Sequence, residues 1–184
     1  MMTRIPPIDP KTATGRAKEL LDGVHRALGM TPNLLRTMAQ APAVLDAHLT
    51  LGRVLGSGTL SPKTREAIAL ATAGANGCAY CASAHAAISQ RMQVPREEID
   101  AHLAAHSSDP KLAALLGFAL AVVTRRGRVS DAELAAARAG GATDGELLEV
   151  VANVAANTLT NYVNHVAGTE IDFPPVDPSP HRAG

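Results

Sequence analysis

Three observations predict an all-α fold for this chain of 184 residues. Apolar residues recur at intervals of three and four, no useful stretch alternates apolar with polar residues, and capping residues or prolines stand where helices would begin. Hydrophobic residues make up 46% of the chain and aromatic residues only 2%, so we expect a core of Ala, Leu and Val. The length suits a single domain, 1–184, with an N-terminal arm at 1–12 and a proline-rich tail at 172–184.

The outer helices are predicted from their start and stop signals. Before the cysteines, helices are expected from Thr14 to Leu28, from Thr31-Pro32 to about Gln40, and from Pro42 to the Gly-Ser-Gly loop at 56–58. After the cysteines, helices are expected from Val94-Pro95 to about His106, from Asp109-Pro110 to Arg125, from Ser130 to Gly140-Gly141, and from Thr143 to Val166. The last two begin with capping boxes, because a Glu follows the Ser or Thr three residues later. The tail is expected not to pack as regular structure, since it is rich in proline.

The two central helices form a predicted hairpin. Ser61, followed by proline, caps an alanine-rich helix that should break at 74–77, and a second helix begins near Cys78. Glu66 and His85 are equidistant in sequence from that break. We therefore expect the carboxylate of Glu66 to lie opposite the imidazole of His85.

Both cysteines of the chain, Cys78 and Cys81, lie at the start of the second central helix in a C-x-x-C spacing. With His85 they occupy positions i, i+3 and i+7, which share one helix face. A thiolate is a nucleophile, and a second cysteine nearby can capture a sulfenic acid as a disulfide. A histidine supported by a carboxylate such as Glu66 can move the protons. The pattern therefore fits a thiol peroxidase or a disulfide oxidoreductase.

The spacing E-x11-C-x-Y-C-x3-H, formed by Glu66, Cys78, Tyr80, Cys81 and His85, resembles the core motif of the alkylhydroperoxidase D-like (AhpD-like) group. That group belongs to the carboxymuconolactone decarboxylase superfamily, and the likeness extends over roughly 60–95. The segment 164–174 also resembles the close of peroxidase-related members. The resemblance implies an AhpD-like helical bundle built around the hairpin, with Cys81 becoming a sulfenic acid and Cys78 acting as resolving partner and proton donor. The alkylhydroperoxidase itself carries histidine where this chain has Tyr80, which we expect to orient or donate a hydrogen bond.

We therefore expect a thiol-dependent peroxidase or disulfide oxidoreductase that acts on an organic peroxide. Glu66 and His85 would move the protons. No bound cofactor and no metal are expected, and an external dithiol, on a protein or a cofactor, would restore the enzyme. The resemblance and the alanine-rich helix faces also imply a homo-oligomer, either a trimer or a hexamer.

The motif also has other interpretations, which the sequence supports to different degrees. The cysteines and His85 supply three possible zinc ligands, whereas structural zinc usually takes four. Two inert, buried cysteines would have the same spacing, and a thioredoxin fold would need a βαβ pattern that the sequence lacks. A decarboxylase-like enzyme of the same superfamily would need only the acid–base groups, and a redox sensor would use the cysteines without turnover.

Charge and hydropathy exclude several classes of partner. Lys and Arg number 17, as do Asp and Glu, and no dense basic run is present. Nucleic acid and anionic membranes are therefore not expected as partners. The N-terminus lacks the apolar stretch of a signal peptide, and the longest apolar run, 112–123, is short for a membrane span. We expect a cytoplasmic protein.

The last predicted helix carries an unusual polar stripe formed by Asn153, Asn157, Asn161, Asn164 and His165. One interpretation is a solvated helix face. The other is a row of amides buried against another helix or subunit, in which case His165 would reach the thiols. The histidines at positions 25 and 48 receive no role, because lone histidines on such helices are ordinarily structural or exposed.

Overall fold

The computed structural model describes residues 3–181, which form nine α-helices and one 3-10 turn and contain no strand. The helices are α1 Gly15–Leu28, α2 Asn33–Met38, α3 Pro42–Leu55, α4 Pro62–Asn76, α5 Ala79–Arg91, α6 Arg96–Leu103, α7 Pro110–Thr124, α8 Asp131–Ala139 and α9 Asp144–Ala167. The 3-10 turn is Ser179–His181. The all-α prediction is confirmed. The ends of the predicted arm and tail, residues 1–2 and 182–184, lie outside the described part.

The helix starts follow the capping signals in the sequence. The side chain of Ser61 accepts the backbone N–H of Thr64 at 3.1 Å, and both predicted capping boxes are formed, at the starts of α8 and α9. Helix α6 is shorter than predicted and ends at Leu103 instead of about His106. There Ala105 takes a left-handed φ of 58°, and the N–H of His106 turns back to the Ala101 carbonyl at 2.9 Å, which closes the helix.

The proline-rich tail is largely irregular, as predicted, but it includes one 3-10 turn and packs on the helices. The backbone N–H of Val176 donates to the hydroxyl of Ser83 on α5 at 2.9 Å. The ring of Phe173 packs edge-on against Tyr80, with ring centroids 5.8 Å apart. These contacts hold the tail against the hairpin, where the ring of Phe173 finds an aromatic partner.

Helix α4 lies at the centre of the fold and packs against α5, α6, α7 and α9. Every residue from 67 to 75 is buried. The alanines on this stretch let neighbouring helices approach closely, and two apolar clusters flank it, one mainly on α1, α2 and α5 and the other mainly on α7 and α9. No helix in the described range 3–181 is both long and apolar enough to cross a membrane.

The closest approach to α4 occurs at Gly74, where a Cβ atom would clash with the carbonyl oxygen of Leu103. We expect Gly74→Ala to lower the free energy of unfolding by about 1–3 kcal/mol, because the α6 backbone must move. Gly117→Ala is the matched control: position 117 is an exposed site in α7 with no atom near the new Cβ, so it should raise stability by about 0.5–1 kcal/mol. Urea denaturation measures the free energy of unfolding of both variants. Equal stability of the two would contradict close packing at Gly74.

Candidate active site

The turn between α4 and α5 sets the position of both thiols. Gly77 has a φ of 65°, which allows the chain to reverse, and the N–H of Cys78 then bonds the Ala73 carbonyl at 2.9 Å. Cys78 caps α5, and its sulfur accepts the backbone N–H of Cys81 at 3.4 Å. Both cysteines are free thiols and are almost fully buried.

Cys81 is surrounded by groups that stabilise a thiolate. The Nδ2 amide of Asn164 on α9 donates to its sulfur at 3.2 Å, and the hydroxyl oxygen of Thr160 lies 3.9 Å away. A hydrogen bond from the thiol of Cys78, together with the charge of His85 and the Asn164 amide, lowers the pKa of Cys81 to about 6 despite burial. The same hydrogen bond, burial and the charge on Cys81 raise the pKa of Cys78 far above its usual range. Cys81 is therefore the thiolate at neutral pH, and Cys78 holds the proton.

Glu66 and His85 face each other across the hairpin, and Nδ1 of His85 lies 2.7 Å from Oε2 of Glu66. The predicted pairing of these two residues is confirmed. Their side chains are only 18% and 21% exposed. Burial alone would lower the pKa of His85, but the charge and hydrogen bond of Glu66 outweigh it and raise that pKa. With Nδ1 bonded to Glu66, Nε2 is the nitrogen left for a substrate proton.

Tyr80 lies between the two cysteines in sequence, and a hydrogen bond holds its hydroxyl in place. The oxygen accepts the backbone N–H of Leu34 at 3.1 Å. Burial, together with the nearby carboxylate of Asp172, raises the pKa of the phenol above its ordinary value. The phenol of Tyr80 is therefore protonated at neutral pH, and the hydrogen bond from Leu34 holds it in place.

Two cavities reach the thiols from different directions. One, the Cys81 cavity, has a volume of about 200 Å³ and mostly apolar walls; its polar groups include Cys81, His85, His48 and Arg91. The other, the Cys78 cavity, has a volume of about 620 Å³ and includes Cys78, Asn164, His165 and Thr169. Among residues 3–181, Tyr80 alone lines both cavities. Cys78 and Cys81 therefore line different cavities, and Tyr80 contributes to both.

His48, for which no role was expected from the sequence, lines the Cys81 cavity. Its Nδ1 atom is buried and has no hydrogen-bond partner within residues 3–181. Burial and the charge of nearby His85 both lower the pKa of His48, so its imidazole is neutral and able to accept or donate a hydrogen bond. Nothing in the spacing signals this, because His48 reaches the site only when α3 packs against α1, α2 and α9.

The polar stripe of α9 is buried rather than solvated at most of its positions. Asn153, Asn161 and Asn164 are buried, and Asn161 accepts a hydrogen bond from the Asn76 amide at 2.8 Å. His165 is exposed and lines the Cys78 cavity. The buried interpretation therefore holds for these three asparagines, because this face of α9 packs against α4, whereas Asn157 is only partly buried and His165 is exposed.

The groups gathered around the thiols are suited to redox and proton-transfer chemistry. Within residues 3–181, no three His, Cys, Asp or Glu side chains are placed together to hold a metal ion. The arrangement supplies one stabilised thiolate, one thiol that retains its proton, and a carboxylate–imidazole pair one helical turn away.

Comparison with known families gives one match. Residues 42–109, which include helices α3 to α6, match the profile of the "Carboxymuconolactone decarboxylase family". The matched range contains every residue of the predicted motif but ends before α9. No curated protein matches the sequence significantly.

Solved structures share the fold over nearly the whole chain. The AhpD-core, peroxidase-related protein from Ralstonia eutropha JMP134 superposes with a TM-score of 0.83 at 26% identity, covering 94% of this chain and 93% of that chain. A peroxidase-related protein from Silicibacter sp. TM1040 gives 0.77 at 21% identity, covering 98% and 95%. The debrominase Bmp8 in complex with 2,3,4-tribromopyrrole gives 0.78 at 23% identity, covering 94% and 93%. At these identities the last two show the fold alone.

Proposed function

We propose that this protein is a thiol-dependent peroxidase acting on organic hydroperoxides, because residues 42–109 match the model of the carboxymuconolactone decarboxylase family and the fold is AhpD-like. The observation that carries the proposal is the contrast between the two thiols. Cys81 is held as a thiolate beside the Glu66–His85 pair, whereas Cys78 keeps its proton. Two cysteines that only pack in the core would not require such different protonation states.

The reaction would proceed in two steps. The thiolate of Cys81 attacks the terminal oxygen of the hydroperoxide, the O–O bond breaks, and the departing alkoxide takes a proton from the imidazolium of His85. Cys81 is then a sulfenic acid, and the sulfur of Cys78 displaces its hydroxyl. The proton of Cys78 leaves with that hydroxyl as water, and a disulfide remains. Glu66 holds the imidazole in orientation and stabilises its charged form.

The Cys81 cavity supports an organic substrate rather than hydrogen peroxide. Its walls are mostly apolar, and its volume of about 200 Å³ is below the range of drug-sized sites, so a small substituent fits best. The unpartnered Nδ1 of His48 supplies a hydrogen bond for the one polar end of such a molecule. Arg91 contributes a positive charge to the same cavity.

A second candidate function is reductive dehalogenation. The fold is shared with the debrominase Bmp8, and an apolar cavity beside a thiolate suits a halogenated ring. Cys81 would take the halogen from the ring while His85 gives the ring carbon a proton, and Cys78 would then displace halide to form the same disulfide. Both candidates consume two thiols and need the same external reductant.

One experiment separates these candidates from the remaining alternatives. The reduced protein receives one equivalent of cumene hydroperoxide or 2,3,4-tribromopyrrole, and free thiols are counted before and after. We expect fast loss of two thiols per chain with the hydroperoxide, and continued turnover when dithiothreitol is added. Loss of thiols with release of bromide would favour dehalogenation, and loss without turnover would indicate a redox sensor. No loss with either compound would overturn the proposal in favour of a decarboxylase-like acid–base enzyme.

Self-association remains part of the proposal. Helix α9 exposes apolar side chains at helical spacing on the face turned away from the thiols, namely Leu148, Val151, Leu159, Tyr162 and Val166. A second copy of this chain is the occupant we expect for this face, because a trimer or hexamer would cover it in every subunit. Light scattering gives the mass in solution, and a monomer at all concentrations would refute self-association.

A further inference from the structure

We propose that the Cys81 cavity selects substrates that carry a carboxylate, which Arg91 binds where the cavity opens to solvent. This inference deepens the proposed function and rests on it for the identity of the reacting group, a hydroperoxide. The preferred substrate is then an amphipathic acid, with the hydroperoxide at one end of an apolar body and the carboxylate at the other.

The cavity follows one face of α5 from the thiol to the end of the helix. Its lining includes Cys81, Ala84, Ile88 and Arg91. These residues are spaced by three, four and three, so they share one helix face, and the ten residues from first to last span about 15 Å. Exposure rises along this face, from the buried Cys81 to the exposed Arg91. The sulfur therefore lies at the closed end of the cavity and Arg91 at the open end.

The charges of the cavity favour an anion at its open end. Among the described residues, Arg91 is the only Lys or Arg that lines the cavity, and no Asp or Glu lines it. Arg91 also forms no ion pair with a carboxylate of residues 3–181. Leu28, which lines the same cavity, is 53% exposed. A guanidinium without a countercharge and an apolar rim suit the two parts of an amphipathic acid.

The two ends of the cavity offer different partners. A planar guanidinium can bind both oxygens of one carboxylate, and an exposed pair loses little hydration. His48 lies near His85, whose charge lowers the pKa of His48, so its unpartnered Nδ1 serves the hydroperoxide end. Side chains on a helix tilt toward its N-terminus, which brings the guanidinium of Arg91 back toward Cys81. The two polar ends of the substrate should then be about 6–9 Å apart.

Three matched hydroperoxides test the preference for an acid. Cumene hydroperoxide, its para-carboxylate and the methyl ester of that acid differ only at the end that would meet Arg91. We expect kcat/KM for the carboxylate to exceed that for the ester about 5- to 20-fold. Sodium chloride at about 0.5 M should reduce this preference, because salt screens an exposed ion pair. Equal values of kcat/KM for acid and ester would overturn the proposal.

Variants at Arg91 test the source of the preference. Arg91→Met should bring the acid-to-ester ratio of kcat/KM to about one, and Arg91→Glu should reverse it. Arg91→Lys should retain part of the preference, since an ammonium keeps the charge but cannot bind both oxygens in parallel. The ratio is taken within each protein, so a general loss of activity does not affect it.

Arg53→Met is the matched control. Arg53 also lies in the last turn of a helix and is exposed, but it is outside the Cys81 cavity. Its replacement removes the same charge from the protein and should leave the acid-to-ester ratio as in the wild type. A preference that survives in Arg91→Glu, or that disappears in Arg53→Met, would overturn the proposal.

A binding experiment without peroxide separates this inference from the proposed function. 4-Isopropylbenzoate and 4-isopropylbenzamide have the size of the substrate but cannot oxidise a thiol. Each competes with iodoacetamide, which alkylates the Cys81 thiolate at a rate that mass spectrometry measures. We expect the benzoate to protect Cys81 at about 5- to 20-fold lower concentration than the benzamide, and this difference should vanish in Arg91→Met.

The outcomes of the binding experiment are distinct. Equal protection by the two compounds would overturn the carboxylate site even if the protein reduces hydroperoxides. Selective protection by the benzoate, in a protein that reduces no hydroperoxide, would support the carboxylate site and overturn the peroxidase function alone.

Discussion

Replacing Cys81 with Ser should abolish hydroperoxide reduction, whereas Cys78→Ser should stop the reaction at a sulfenic acid on Cys81. The reason is the unequal state of the two thiols: the pKa of Cys81 is lowered to about 6, and the pKa of Cys78 is raised. A serine at position 78 retains a hydroxyl that can donate to Cys81, so the thiolate should survive while the resolving step is lost. Dimedone labelling followed by mass spectrometry detects the trapped sulfenic acid.

Cys78→Ala is the matched control for that hydrogen bond. It removes the resolving sulfur as serine does, and it also removes the donor to Cys81. Sulfenic acid should therefore form more slowly in Cys78→Ala than in Cys78→Ser at neutral pH, because less of Cys81 is a thiolate. In many C-x-x-C helices the first cysteine is the nucleophile. Dimedone on Cys78 in the Cys81→Ser protein, with no label in Cys78→Ser, would show that the roles are reversed.

The second large effect is expected at the Glu66–His85 pair. Glu66→Gln and His85→Gln should each slow oxidation of Cys81 by a factor of about 10²–10⁴, because each removes the proton donor or its support. The double variant should cost little more than either single one, since residues that act as a unit are not additive. Single-turnover loss of thiols after peroxide addition measures all three. Fully multiplicative losses would show that the two residues act independently.

A second carboxylate–histidine pair serves as the control. His102 and Glu98 on α6 approach within 3.2 Å, outside both cavities. Glu98→Gln removes a carboxylate from a histidine just as Glu66→Gln does, but it should leave the oxidation rate unchanged. A loss equal to that of Glu66→Gln would mean that the effect arises from general destabilisation of the helices.

The Glu66–His85 pair also sets the pH dependence of oxidation. The rate should rise with pH through about 6, as Cys81 becomes a thiolate, and fall again when His85 loses the proton that its raised pKa retains. In Glu66→Gln the pKa of His85 should fall, so that less of the imidazole is charged at a given pH. The positive charge of His85 then stabilises the Cys81 thiolate less, and the pKa of Cys81 should rise. The acid limb should therefore move to higher pH and the alkaline limb to lower pH, with apparent values that belong to the coupled groups.

The part of the site that is local in sequence could be predicted. Ser61 fixes where α4 begins, and Gly77 fixes where α4 ends and the chain turns into α5. Both act on the backbone of residues close to them in sequence. Glu66 and His85 are equally far from that turn in sequence, so the antiparallel hairpin places them opposite each other. The helix starts were predictable for the same reason, whereas α6 ended early because Ala105 adopts a left-handed conformation that its residue type does not signal.

The remainder of the site depends on how distant helices pack, which spacing alone does not specify. His48 comes from α3, Leu34 from α2, and Phe173 from the tail, and each reaches the thiols only through tertiary packing. The asparagines of α9 stood out in the sequence, but whether they face solvent or protein depends on which face of α9 meets the hairpin. Both cavities arise from the same packing, so neither has a signature in the sequence.

The contacts of α9 with the hairpin have a consequence for the newly made chain. The amide of Asn164 is 83 residues from Cys81 along the sequence, and Asn161 is 85 from Asn76. While α9 is still unmade, the sulfur of Cys81 lacks this amide and the neighbouring hydroxyl of Thr160. Cys78 and His85 on the hairpin still lower the pKa of Cys81, but the contribution of Asn164 is missing, so less of the thiol is ionised. Cys81 is therefore expected to reach its full reactivity toward oxidants only when the fold is complete.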